Sequence, residues 1–222
     1  MDNISLTAKS GKVLDDLLGQ IGKLVEFTGG NKISWLLGVE LKHVHEQRVI
    51  KLRQTHYIDT ILECYGFAEV RPVLMPVDTN VCLSNDQAPG SEEECREMDK
   101  HPYAVAVGAL HYLADVTRPD IAYAVGYLAK FLQNPGNAHW TAVKHIYQYL
   151  CATQNYWLIL GGNQSGLVGY SDADGGTHQY CCTVSGYIFL LHGSVISWSS
   201  KQQSIVTLLT SKAKYMALLS VA

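Results

Sequence analysis

Apolar residues recur along the chain with two different spacings. Residues 33–44 and 48–53 read as two strands, and the polar His45, Glu46 and Gln47 between them predict a hairpin turn. A helix is expected over residues 55–65, where Ile58, Ile61 and Leu62 share a face and Gly66 ends the run. Residues 103–113 are small or apolar nearly throughout and predict a buried helix. Thr117, Pro119 and Asp120 form a start signal in which Thr117 caps, Pro119 fits the first turn and Asp120 favours free amides. From there Ile121, Val125, Leu128 and Leu132 repeat at helical spacing until Asn134, Pro135 and Gly136 stop the run. A further helix over residues 138–151 places Trp140, Val143, Tyr147 and Leu150 on one side, as a packing face. Past Gly161 and Gly162 the spacing becomes strand-like. Residues 167–172, 185–191 and 195–200 predict three consecutive strands with short turns, and a last helix begins near Thr210.

Between these blocks, residues 71–90 hold three of the six prolines and have no period, which predicts an extended connection. It runs into an acidic stretch, residues 86–99, read as a loop. The expected division of the chain is therefore residues 1–162 and residues 163–222.

Composition narrows the class. The 222 residues are 47% hydrophobic and 17% charged, which excludes collagen-like, coiled-coil and wholly disordered chains. A net charge of −3 argues against a protein that chiefly coats nucleic-acid phosphates. That sign is local, however: residues 86–99 carry six acids against Arg96 alone, a net of −5, and the remainder is +2. The six cysteines form no C-x-x-C pair, the start lacks a basic-then-apolar leader, and no apolar run nears the ~20 residues of a membrane helix. These features predict an intracellular chain with reduced thiols, no signal peptide and no membrane association.

The chemically suggestive feature is a pair of carboxylates at a strand end. Asp172 and Asp174 follow the apolar strand that begins at Leu167, and alternation puts both on one face, where they could approach Mg2+. An Asp-x-Asp at a strand end is also a common polar turn.

The segments GYSDAD, SGYIFLLHGSVISWSSKQQ and TSKAKYMALLS resemble the start of the RNase H domain of copia-type retrotransposon Pol polyproteins. WLLGVEL, THYIDTILECYGF, TRPDIAYAV and NPGNAHW resemble the distal reverse transcriptase of the same polyprotein, in the same order. The resemblance implies an α+β fold, with a β-hairpin and a helical thumb and connection region. A truncated RNase H-like α/β layer of three antiparallel strands and one helix follows. It also implies RNA-directed DNA synthesis and cleavage of RNA–DNA hybrids through two Mg2+ ions in the parent family. Asp172 matches the first catalytic Asp and metal ligand, and Asp174 belongs to the same motif. Lys214, however, stands where the family has a catalytic Glu, and an ammonium opposes a cation at close range. At the other end Asp2 and Asn3 match the two Asp residues of the polymerase turn, the second having lost its charge.

Both ends read as cut, with the remaining carboxylates of each site beyond them. The expectation is a catalytically inactive fragment that holds no Mg2+ stably. The alternatives are a nucleic-acid- or protein-binding module, or a subunit completed in trans through its open sheet edge and apolar terminal helix. By the same resemblance Lys51, Arg53, Arg118, Lys130, Lys144 and His145 are candidate phosphate contacts to an RNA–DNA hybrid or duplex. Single exposed bases on helices are equally read as solvated surface.

Overall fold

The computed structural model describes residues 6–26, 33–78, 80–173, 183–203 and 210–219. The chain is a mixed α+β protein with two antiparallel sheets. A helix α1 (Gly11–Gly22) precedes β1 (Trp35–Leu36), β2 (Val39–Val44) and β3 (Val49–Arg53). Helix α2 (Thr55–Cys64) follows, then α3 (Glu92–Met98), α4 (Tyr103–Val116), α5 (Ala122–Leu128) and α6 (Asn137–Ala152). Strand β4 (Leu158–Gly161) returns to β3 and closes the first sheet in the order β1-β2-β3-β4. The second sheet is β5 (Leu167–Ala173), β6 (Val184–Leu191) and β7 (Ser194–Gln202), paired in that order, and α7 (Thr210–Leu219) packs on it.

The main core lies among α2, α4, α5 and α6. Ile58, Ile61 and Leu62 of α2 are buried together with Leu110 and Leu113 of α4 and Val143, Tyr147 and Leu150 of α6. Two buried phenols are tied to backbone: Tyr147 donates to the Ala106 carbonyl at 3.1 Å and Tyr103 to the Leu128 carbonyl at 2.9 Å. Burial pushes both hydroxyls well above the ordinary phenol value, so they remain donors.

Five expectations are corrected. The single strand expected over residues 33–44 is two, β1 and β2, paired antiparallel across a turn at Leu37 and Gly38. The acidic stretch is not all loop, since Glu92–Met98 is helical. Ser91 accepts from the Glu94 amide at 3.2 Å while the Glu94 carboxylate accepts from the Ser91 amide, and three acids occupy the positive first turn. Helix α4 is buried on one side only, with Val105 and Tyr112 facing out. Thr117 does not cap; its hydroxyl donates to Gln54 Oε1 at 2.8 Å, and the chain turns through a 3-10 segment at Pro119–Ile121. Leu132 is exposed and Phe131 buried, because Ala129–Phe131 tighten to three residues per turn and rotate the apolar stripe by one position.

The extended connection is a strap held against α6. The Val73 amide donates to the Gln148 carbonyl at 3.4 Å, and Tyr127 Oη exchanges two hydrogen bonds with the backbone of Leu83. At its far end His139 is fully buried, accepts from the Gly136 amide through Nδ1 at 2.8 Å, and reaches the Ser84 carbonyl through Nε2 at 3.2 Å. Burial lowers the affinity of this imidazole for a proton, partly offset by the Ser84 carbonyl. The unfolded side chain therefore takes up a proton first as pH falls. Stability from this group is complete above the ordinary His value of about 6.5 and is lost below it. Urea midpoints are expected to be lower at pH 5 than at pH 7, with a smaller difference in His139→Gln; an equal pH difference in that variant refutes the assignment.

Candidate functional site

Asp172 sits in the last turn of pairing on β5, opposite Gly186, which in turn faces Ser200 on β7. Alternation sends Asp172 and Ala173 to opposite faces. Ala173 is buried with Ala213 and Ala217, whose spacing of four residues puts them on one side of α7. Asp172 instead lines an open groove of about 600 Å3 with Tyr123 from α5 and Tyr170 and Trp198 from the sheet. Sequence reasoning missed the three aromatics, although the i, i+2 relation of Tyr170 and Asp172 was available to it.

The groove exists because α4 and α5 dock on the second sheet. Trp198 Nε1 donates to the Ala114 carbonyl at 2.7 Å, and Gly126 approaches β7 so closely that an added Cβ would lie 3.3 Å from the Ser200 carbonyl.

Among the described residues, the surroundings of Asp172 do not assemble a two-metal site. Asp172 is exposed and its Oδ1 accepts from the neighbouring Ala173 amide at 2.8 Å. Lys214 is exposed on α7, beside Ala213 on the helix that covers the Ala173 face. No group of three His, Cys, Asp or Glu side chains able to hold a metal occurs among the described residues. Asp174, Asp2 and Asn3 lie outside the described residues.

The six basic candidates do not share one surface. Lys51 is half-buried on β3 directly opposite Lys42, a like-charge pair that costs stability. Arg53 is already engaged: its guanidinium holds Glu40 at 2.6 and 3.2 Å and lies 4.1 Å over the Trp157 ring. Lys130 is exposed near the ring of Tyr127, at 5.3 Å. Lys144 is exposed 6.0 Å from the centroid of Trp140, one turn earlier on α6. His145 is half-buried and its Nε2 donates to the Met75 carbonyl at 3.0 Å. Lys144 and His145 thus lie beside the strap, Lys130 lies near Tyr127, and Lys51 and Arg53 lie on the first sheet.

Arg118 is a correction. Its side chain is only 4% exposed, and its donors are occupied by Asp120 at 2.7 to 3.2 Å and by the Thr153 carbonyl and hydroxyl at 3.2 and 2.6 Å. Tyr149 completes the cluster by donating to Asp120 Oδ2 at 2.8 Å. Burial, followed by the bond to Asp120, pushes the Tyr149 hydroxyl up to about 12. A phosphate would have to displace these partners, so Arg118 ties α6 to the turn after α4 instead.

Against this geometry the relatives can be set. The Pol polyprotein from transposon TNT 1-94 of Nicotiana tabacum is 37% identical over 218 residues, covering 98% of this chain and 16% of that protein. The Pol polyprotein from transposon RE1 of Arabidopsis thaliana is 34% identical over 218 residues, covering 97% and 14%. The chain belongs to the Pol family of copia-type retrotransposons. It spans about a sixth of the length of these polyproteins. A secreted RxLR effector protein, number 161, from Plasmopara viticola is 46% identical over 123 residues, covering 54% of this chain and 87% of that protein. No family model and no solved structure matches the chain. No helix among the described residues is long and apolar enough to cross a membrane.

Proposed function

We propose that this chain is the distal reverse-transcriptase and proximal RNase H region of a copia-type Pol, and that it cleaves no RNA–DNA hybrid as it stands. Residues 1–162 correspond in this reading to the palm end, thumb and connection, and residues 163–222 to the first three strands and first helix of the RNase H layer. The antiparallel order β5-β6-β7 followed by α7 supports that layout. The observation that supports a loss of activity is Asp172 facing its groove with no carboxylate cluster around it among the described residues, together with Lys214 at the family's Glu position. Two-metal catalysis needs acidic side chains converging on both ions, and a lysine there adds repulsion in place of a ligand. Among the described residues Asp172 is the acid that lines the groove, which leaves Mg2+ short of ligands there.

The test is a hybrid-cleavage assay with the purified chain in millimolar Mg2+, beside Asp172→Asn. Both are expected to give the background of buffer alone. Hybrid cleavage that disappears in Asp172→Asn would overturn the reading.

A second reading is a binding module for duplex or hybrid nucleic acid. It is favoured by Lys144 and His145 side by side next to the strap and by the aromatic wall of the Asp172 groove. The effector relative, most of whose length matches part of this sequence, supports the idea that such a piece can stand as a separate chain. Duplex affinity in this reading falls steeply with salt. Fluorescence anisotropy with a labelled hybrid at low and physiological salt tests it, and no binding at micromolar protein removes it.

A further inference from the structure

The strap leaves a half-open cavity of about 220 Å3 between itself and helices α5 and α6. Its walls are mostly apolar: Val77, Val81 and Leu83 from the strap, Ala124 and Leu128 from α5, and Ala142 from α6. A dry apolar cavity of roughly 150 Å3 already accommodates a benzene ring, so this one has room for a ring with a short substituent.

Most polar groups at its edge are satisfied within the chain. His145 donates to Met75, Thr141 donates to the Asn137 carbonyl at 2.9 Å, and Asp78 Oδ1 accepts from the amide and side chain of Asn80 at 2.9 and 3.1 Å. His145 and Thr141 ask nothing further of a ligand, and the exposed Asp78 carboxylate keeps its charge at the strap edge. Lys144 differs: it lines the same cavity, is exposed, and its ammonium has a distant ring contact with Trp140 but no hydrogen bond or ion pair among the described residues.

We propose that this cavity binds a small aromatic monocarboxylate, with the ring between the strap and α5–α6 and the carboxylate at Lys144. The apolar walls supply the affinity by removing the ring from water, and the lysine selects an anionic head over a neutral one. Fully desolvated pairing is not available at an exposed ammonium, so the selection is modest.

Phenylacetate and its neutral counterpart benzyl alcohol are the probes, titrated into the full chain and followed by amide chemical shifts. Both are expected to saturate, phenylacetate binding about two- to fivefold tighter, since an exposed ion pair contributes up to about 1 kcal/mol. Lys144→Gln is expected to remove that difference and keep the benzyl alcohol affinity. Ala142→Leu, which places a side chain in the cavity, is expected to abolish both; Ala138→Leu from the same helix serves if the first variant fails to melt cooperatively. The proposal is overturned by the absence of saturation with either probe at millimolar concentration. Equal affinity for the two probes, or binding that survives the filled cavity, overturns it as well. Because neither probe reports on hybrid cleavage or duplex affinity, these outcomes are independent of the functional reading above.

Discussion

Replacing Arg118 by glutamine is expected to cost about 3–5 kcal/mol, seen as a large drop in the urea midpoint with the slope unchanged. The size follows from what would be left behind. Arg118 is buried, and it joins the nearby carboxylate of Asp120 to the distant end of α6 and the residues just after it: the carbonyl and hydroxyl of Thr153, and the rings of Tyr149 and Tyr156, each 5.5 Å from its guanidinium carbon. Thr153 in turn donates to the Tyr149 carbonyl at 2.8 Å, so the network pins the C-terminal end of α6. A glutamine amide cannot reproduce a planar fork of five donors.

Burial raises the proton affinity of Asp120, but the bond and charge of Arg118, with the bond from Tyr149, outweigh it and hold the carboxyl below the ordinary range. Its contribution is therefore present above about pH 4 and fades as pH falls through the lowered value. Asp120→Asn is expected to cost less than Arg118→Gln, because the amide still accepts from the guanidinium while losing the charge. The double variant should then show a coupling of about 0.5–3 kcal/mol. An Arg118→Gln loss below 1 kcal/mol would show that the cluster is dispensable.

Arg118 also marks the boundary of what the sequence could say. A charged residue between Thr117 and Pro119 looks like a capped helix start with a base free for phosphate, because burial and a partner 35 residues away leave no local trace. The helices and strands were legible wherever the apolar period was regular: Thr55–Cys64, Asn137–Ala152 and the three strands of the second sheet differ from expectation by a residue or two at each end. Helix α3 carried a readable signal, Ser91 three residues before Glu94, that charge density obscured. Strand β4 has only four residues, and its partner β3 lies over a hundred residues earlier, so no local pattern announces it. At the candidate site, alternation placed Asp172 at its strand end. It could not show that α7 covers the opposite face while α5 walls the groove, since both depend on how the sheet docks.

The junction between the sheets yields the second large effect. Gly161 and Gly166 both have left-handed backbone, with φ of +102° and +98°, but their surroundings differ. A Cβ on Gly166 would meet nothing within 4 Å, whereas one on Gly161 would lie 2.4 Å from the Arg48 carbonyl oxygen and 3.2 Å from the Val49 Cα. Gly166→Ala therefore carries the conformational cost alone, about 1–2 kcal/mol. Gly161→Ala adds an overlap with backbone that no rotamer change relieves, about 1–3 kcal/mol more. That overlap falls on the Val49–Gly161 pair that ends the β3–β4 ladder. The Gly161 carbonyl accepts from the Ser194 hydroxyl at 2.5 Å, so a displaced β4 also releases the start of β7. Amide exchange in Gly161→Ala is thus expected to accelerate in β4 and at the start of β7, with α4 and α6 less affected, while Gly166→Ala shows no such pattern. Equal stability losses in the two variants would mean that β4 shifts without cost, and that the two sheets are held together by Trp198 and Gly126 against the helices instead.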